Sequence, residues 1–66
     1  MDFSVLMPVY HGDTETKFSA AVLSVMDNTM KPSEFVLVVD GPVPASIEMA
    51  IAGFENLYGS VFNVYR

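Results

Sequence analysis

Two short apolar runs, Val5 to Val9 and Phe35 to Val39, constrain this chain more than any other feature. Both are rich in β-branched residues and lack clear alternation, the pattern of strands covered on both faces of a parallel sheet. Between them Phe18, Ala21, Val22, Val25, Met26 and Thr29 recur at i, i+3, i+4, i+7, i+8 and i+11. That spacing is a helical stripe, with Ser19, Ser24, Asp27 and Asn28 outside it. Strand, helix, strand in this order is a parallel crossover unit.

The local signals sharpen the boundaries. Asp13 or Thr14 caps the helix, Glu15 sits favourably in its first turn, and Lys31-Pro32 marks its end. After the second strand, Gly41-Pro42-Val43-Pro44 makes a tight exit, with Pro44 suited to the first helical position. Ile47, Ala50, Ile51, Phe54 and Tyr58 repeat the helical spacing, and Gly59 closes that helix. Val61 to Tyr65 reads as the start of a third strand. The expected fold is therefore α/β, a β-α-β-α-β parallel arrangement forming half of a three-layer, Rossmann-like architecture. Parallel crossovers are right-handed in ~98% of cases, which puts both helices on one face of a three-stranded sheet and leaves the other face and the outer edge of the first strand bare. Met26, Met30 and Met49 read as core filler, and the acidic scatter on the helices as a solvated face.

Composition limits what such a fold can do. In 66 residues there is no cysteine and one histidine, His11, which removes disulfides and thiolate sites and argues against a structural zinc. A net charge of -5 disfavours tracking of nucleic-acid phosphates, so nucleic acid is discounted as a partner. No apolar run approaches the ~20 residues that span a bilayer. The start, Met1-Asp2-Phe3-Ser4, is acidic and unlike a secretory signal, so a cytoplasmic chain is expected. A chain of this length buries only ~60% of its unfolded surface. Together with the bare face, this points to an incomplete domain or to folding by association, with a homo-oligomer expected for the isolated segment.

In open parallel sheets, ligands sit beyond the carboxyl ends of the strands. Tyr10 and Asp40 occupy those ends of neighbouring strands, each followed by a turn with a glycine, Gly12 and Gly41. A tyrosine there offers a stacking platform and an aspartate an acceptor for ring or ribose donors. Each also has a plain structural reading: Tyr10 as an amphipathic strand cap, Asp40 as an acidic turn residue. His11 reads as a loop histidine. Asp13 and Glu15 read as helix-start charges, Asp13 close enough to the pocket to bear on it. Neither G-x-G-x-x-G nor G-x-x-x-x-G-K is present, so no dinucleotide or phosphate-loop signature competes.

The segments FSVLMPVYHGD and AVLSVMDNTMKPSEFVLVVDGPVP, in this order, resemble the N-terminus of family 2 nucleotide-sugar glycosyltransferases of the GT-A type over essentially the whole chain. The resemblance implies the N-terminal part of a GT-A fold, with residues 1–66 the nucleotide-binding segment of an incomplete domain. It implies that Pro8, Val9 and Tyr10 line the nucleotide base through backbone groups and the aromatic ring. It also implies that Asp40, followed by Gly41, accepts a hydrogen bond from the base imide. His11 stands where asparagine is commoner, and Val39 and Pro42 where many members carry aspartate and serine. An Asp-Gly-Pro variant occurs in one branch, so these departures bear on the sugar donor rather than on the class.

The resemblance further implies glycosyl transfer from a nucleotide-diphospho-sugar donor to a saccharide or lipid-linked acceptor, with a divalent cation, Mg or Mn, in the full-length enzyme. That protein would be cytoplasmic or at the inner face of the membrane. The family's metal-binding Asp-x-Asp motif and catalytic base lie past a fourth strand, so no catalytic or metal residue is assigned here. The segment alone is expected to bind no cation and to be inactive. Base stacking at ~1 to 3 kcal/mol and a charged hydrogen bond at ~1.5 to 3 sum to about a millimolar complex before ordering costs. The alternative is a small self-associating or partner-binding module that uses the bare face without chemistry.

Overall fold

The computed structural model describes residues 3–66, and the acidic start at Met1 and Asp2 lies outside them. The order is β1 (Ser4–Tyr10), α1 (Glu15–Met26), β2 (Glu34–Asp40), α2 (Ala45–Tyr58), a 3-10 turn (Gly59–Val61) and β3 (Phe62–Tyr65). The strands form one sheet in the order β1-β2-β3, and both pairings are parallel. This is the β-α-β-α-β, Rossmann-like half that the sequence pattern predicts. Both crossovers run in the same direction across the sheet, so α1 and α2 share one face and build one core with it.

The helices supply that core through the predicted stripes. Phe18, Val22 and Met26 of α1 and Ile47, Ile51 and Phe54 of α2 are buried against Val9 of β1, Phe35, Leu37 and Val39 of β2, and Phe62 of β3. A run of rings ties the layers together. Phe18 meets Phe54 edge-on with centroids 6.0 Å apart, Phe54 lies 5.8 Å from Phe62, and Phe62 stacks on its register partner Phe35 at 5.1 Å. Such offset and edge-on pairs add to simple area burial. No polar or charged side chain is buried among the described residues.

Several boundaries differ from expectation. The bare face is where the crossover rule expects one, although the runs themselves read as strands covered on both sides: in β1 and β2 burial alternates, with odd-numbered residues facing the helices and even-numbered ones more exposed. Continuous apolarity cannot separate a two-sided cover from one that only one helical layer provides. α1 stops at Met26, five residues before Lys31, with the Asp27 amide closing it onto the Leu23 carbonyl at 2.8 Å. Asp27, Asn28 and Thr29 are weak helix formers, so the helix ends on them before the proline acts. Thr29 therefore leaves the stripe and is exposed. Met30 and Met49 are exposed, not core filler, at 60% and 76%. Met30 follows the helix end, and Met49 lies on the outer side of α2 between the buried Ile47 and Ile51.

Thr14, not Asp13, caps α1, its side chain accepting the Lys17 amide. Pro44 is the N-cap of α2 rather than its first residue, its carbonyl accepting the Ile47 and Glu48 amides. Gly59 closes α2 as expected, with φ 61°. Val61 belongs to the 3-10 turn and not to β3.

Candidate functional site

Backbone direction decides what the end of β1 presents. On a strand, successive residues turn their backbone groups to opposite sides. The Phe3 carbonyl accepts both the amide and the hydroxyl of Ser33, just before β2, each at 2.9 Å. Odd residues of β1 thus bond toward β2, and Tyr10 turns its amide and carbonyl to the free outer edge. There Asp13 meets both groups. The Tyr10 N–H donates to Asp13 Oδ2 at 2.9 Å, and the Asp13 N–H donates to the Tyr10 carbonyl at 3.0 Å. His11 and Gly12 form the turn between them and are exposed. Pro8, on the same side two residues earlier, has no N–H to offer, so this edge is blunted toward its carboxyl end.

Tyr10 and Asp40 are register partners on parallel neighbours, with strand axes about 4.8 Å apart. Both are even-numbered, both are the last residues of their strands, and both are exposed, Tyr10 at 49%. They lie at the same carboxyl-terminal rim and on the same side of the sheet, the side without helices. Gly41 then turns the chain with φ 79°, a left-handed conformation that any side chain would strain. Gly12 has no such need.

The remaining predicted residues fall on both sides of the sheet. Pro8 is exposed on the uncovered face, one row below Tyr10 and opposite Val38. Val9 points the other way and is buried in the core, and as an odd-numbered residue it turns its backbone groups toward β2. Sequence reasoning treated Asp13 as a helix-start charge, and its grip on Tyr10 went unread. Its only signal was an aspartate three residues after the strand's last residue, within reach of a reverse turn. An open depression lined by Met7, Pro8, Asp13, Lys17, Phe18 and Ala21 runs along the outer edge of β1 against α1. Neither Tyr10 nor Asp40 lines it.

The uncovered face forms an apolar strip. Leu6, 72% exposed, is in register with Val36, and Pro8 with Val38 and Tyr65, the last 59% exposed. Glu34 and Asn63 close its far end, the Asn63 amide donating to the Glu34 carboxylate at 3.1 Å. Farther round, Arg66 grips Glu48 through two bonds of 2.8 Å. Those bonds hold the Glu48 carboxyl below its usual range and raise Arg66. Burial pushes the Tyr58 hydroxyl up, with Asp27 adding to the effect. Among the described residues no three acidic or imidazole side chains converge as a metal-binding set, and no helix is long and apolar enough to cross a membrane.

No protein-family model matches the chain, and no solved structure matches it. One curated relative, the UDP-Gal:alpha-D-GlcNAc-diphosphoundecaprenol beta-1,3-galactosyltransferase of Escherichia coli, is 33% identical over 54 residues, 82% of this chain. The chain spans 20% of that relative's length. The likeness is to part of a glycosyltransferase, and it supports a relationship at that level.

Proposed function

We propose that this chain forms the nucleotide-base end of a glycosyltransferase of the family 2, GT-A kind, with a uridine diphospho-sugar as donor. The observation that carries the reading is the pairing of Tyr10 with Asp40 in one register row at the carboxyl rim of two parallel strands, where open α/β sheets bind ligands. The uridine assignment draws on the name of the Escherichia coli relative. In this reading the Tyr10 ring stacks on the base, Asp40 accepts its imide N–H, and Pro8, Val9 and Gly41 shape the backbone beside it.

The described residues bind and orient. The residues that would hold a divalent cation, and the base that takes the proton from the acceptor hydroxyl, belong in this reading to other parts of the full-length enzyme. In the transfer, the bond from the anomeric carbon to the diphosphate breaks as the bond to the acceptor oxygen forms. The nucleoside diphosphate leaves. A saccharide or lipid-linked acceptor fits this chemistry, and a lipid-linked one would bring the enzyme to the inner face of the membrane.

Titration with UDP, GDP and ADP, followed by backbone amide NMR, tests the assignment. UDP should shift the Tyr10, Asp40 and Gly41 resonances at about millimolar concentration. Tyr10→Ala should weaken binding by ~1 to 3 kcal/mol, and Asp40→Asn should weaken it by a comparable amount. A protein whose rim responds to none of the three nucleotides does not have this function.

A second reading is favoured by the apolar strip of Leu6, Val36, Pro8, Val38 and Tyr65. In it the chain self-associates through this face and performs no chemistry. Three strands about 4.8 Å apart and up to ~20 Å long cover only a few hundred Å², less than the ~800 Å² per partner of a standard interface. Association through the strip alone would therefore be weak.

A further inference from the structure

One residue holds the end of β1 by both of its backbone groups. The Tyr10 amide and carbonyl face the free edge, where no strand among the described residues pairs with them. The Asp13 carboxylate takes the first at 2.9 Å and the Asp13 amide fills the second at 3.0 Å. The next residue, Thr14, caps α1 and accepts the Lys17 and Phe18 amides. The turn is thus anchored to a helix whose Phe18 sits in the core. The Tyr10 side chain, by contrast, lies half-exposed on the uncovered face, outside the aromatic cluster. Its direction follows from its backbone, because allowed side-chain rotamers depend on φ and ψ.

We infer that Asp13 is a positioning residue for nucleotide binding: by closing the Tyr10 turn it holds the tyrosine ring beside Asp40 in the orientation a base stacks on. The inference rests on the reading of Tyr10 as a base platform. It assigns Asp13 no contact with the nucleotide. A platform already held in place loses less freedom on binding, which is how a residue outside the contact raises affinity. The acceptor is the essential chemistry, so an asparagine, whose Oδ1 still accepts though more weakly than a carboxylate, should largely serve in its place.

The test uses UDP as probe and four variants: Asp13→Ala, Asp13→Asn, Tyr10→Ala and the double alanine variant. Asp13→Ala should lower UDP affinity roughly fivefold, what one hydrogen bond is typically worth. Asp13→Asn should stay within about twofold of the parent. The decisive result is non-additivity: in the Tyr10→Ala background, Asp13→Ala should cost nothing further. Hydrogen exchange at the Tyr10 amide should speed up in Asp13→Ala and not in Asp13→Asn, which reads the turn independently of any ligand.

Equal losses from Asp13→Ala with and without the Tyr10 ring would overturn the inference, since Asp13 would then act on the ligand or on stability. A parent that binds UDP through Tyr10 while Asp13→Ala binds as tightly would overturn it too, leaving the nucleotide reading intact. A parent whose rim responds to none of UDP, GDP and ADP overturns both.

Discussion

At residue scale, the two glycines that follow the strands look alike in sequence and differ in what they do. Gly41 stands at φ 79°, where a Cβ costs about 1 to 2 kcal/mol of backbone strain. Gly12 lies outside the left-handed region, and a Cβ built on it meets nothing within 4 Å. Opposite outcomes are expected in thermal unfolding. Gly41→Ala should lower stability by about 1 kcal/mol, whereas Gly12→Ala should raise it by about 0.4 to 1 kcal/mol by restricting the unfolded chain. A stabilising Gly41→Ala would show that the turn after β2 does not require its observed conformation, and with it the path of the chain beside Asp40.

The elements show why periodicity was a sound guide to the helices and a weaker one to the strands. The stripe on α2 picks out Ile47, Ile51 and Phe54, and these are the buried residues of that helix. Ile51 is fully buried, and Ile51→Ala should cost 2 to about 5 kcal/mol in denaturant unfolding, much of what a chain of this size has to lose. Met49→Ala, on the exposed side of the same helix, should stay within about 0.5 kcal/mol. Similar costs at the two positions would mean that α2 packs with another face inward. Where propensity and periodicity conflicted, after Met26, the stripe extended to Thr29 but the weak formers Asp27, Asn28 and Thr29 ended the helix. The Asp13 turn is a further element-scale result, because it depends on which edge of β1 is free.

For the whole molecule, the dominant fact is that one sheet face is finished and the other is not. Its helical side carries the core, and its other side exposes Leu6, Val36, Val38 and Tyr65 in two register rows. Pro8 and the Asp13 turn blunt much of the outer edge of β1, so association by strand addition there is disfavoured, which leaves the uncovered face and the outer edge of the short strand β3. If the second reading applies, concentration-dependent association in sedimentation velocity should fall on Leu6→Glu, while unfolding stability changes little because Leu6 is already 72% exposed. Unchanged association in that variant would remove the face as its cause.

Much of this was legible in the amino-acid order alone. Element types, their sequence, the parallel pairing and the inward residues of both helices follow from spacing, because burial on one side of a helix imposes its 3.6-residue period on the chain. So does the placing of Tyr10 and Asp40 at strand ends. Which face of the sheet is covered, which way each backbone group of β1 turns, and that Asp13 rather than a sheet partner holds Tyr10 were decided only by tertiary structure. The first two are relations between segments distant in sequence, and the third, although it joins residues three apart, depends on which edge of β1 is free. A one-dimensional pattern of apolar residues carries no record of which neighbour a strand face or edge meets.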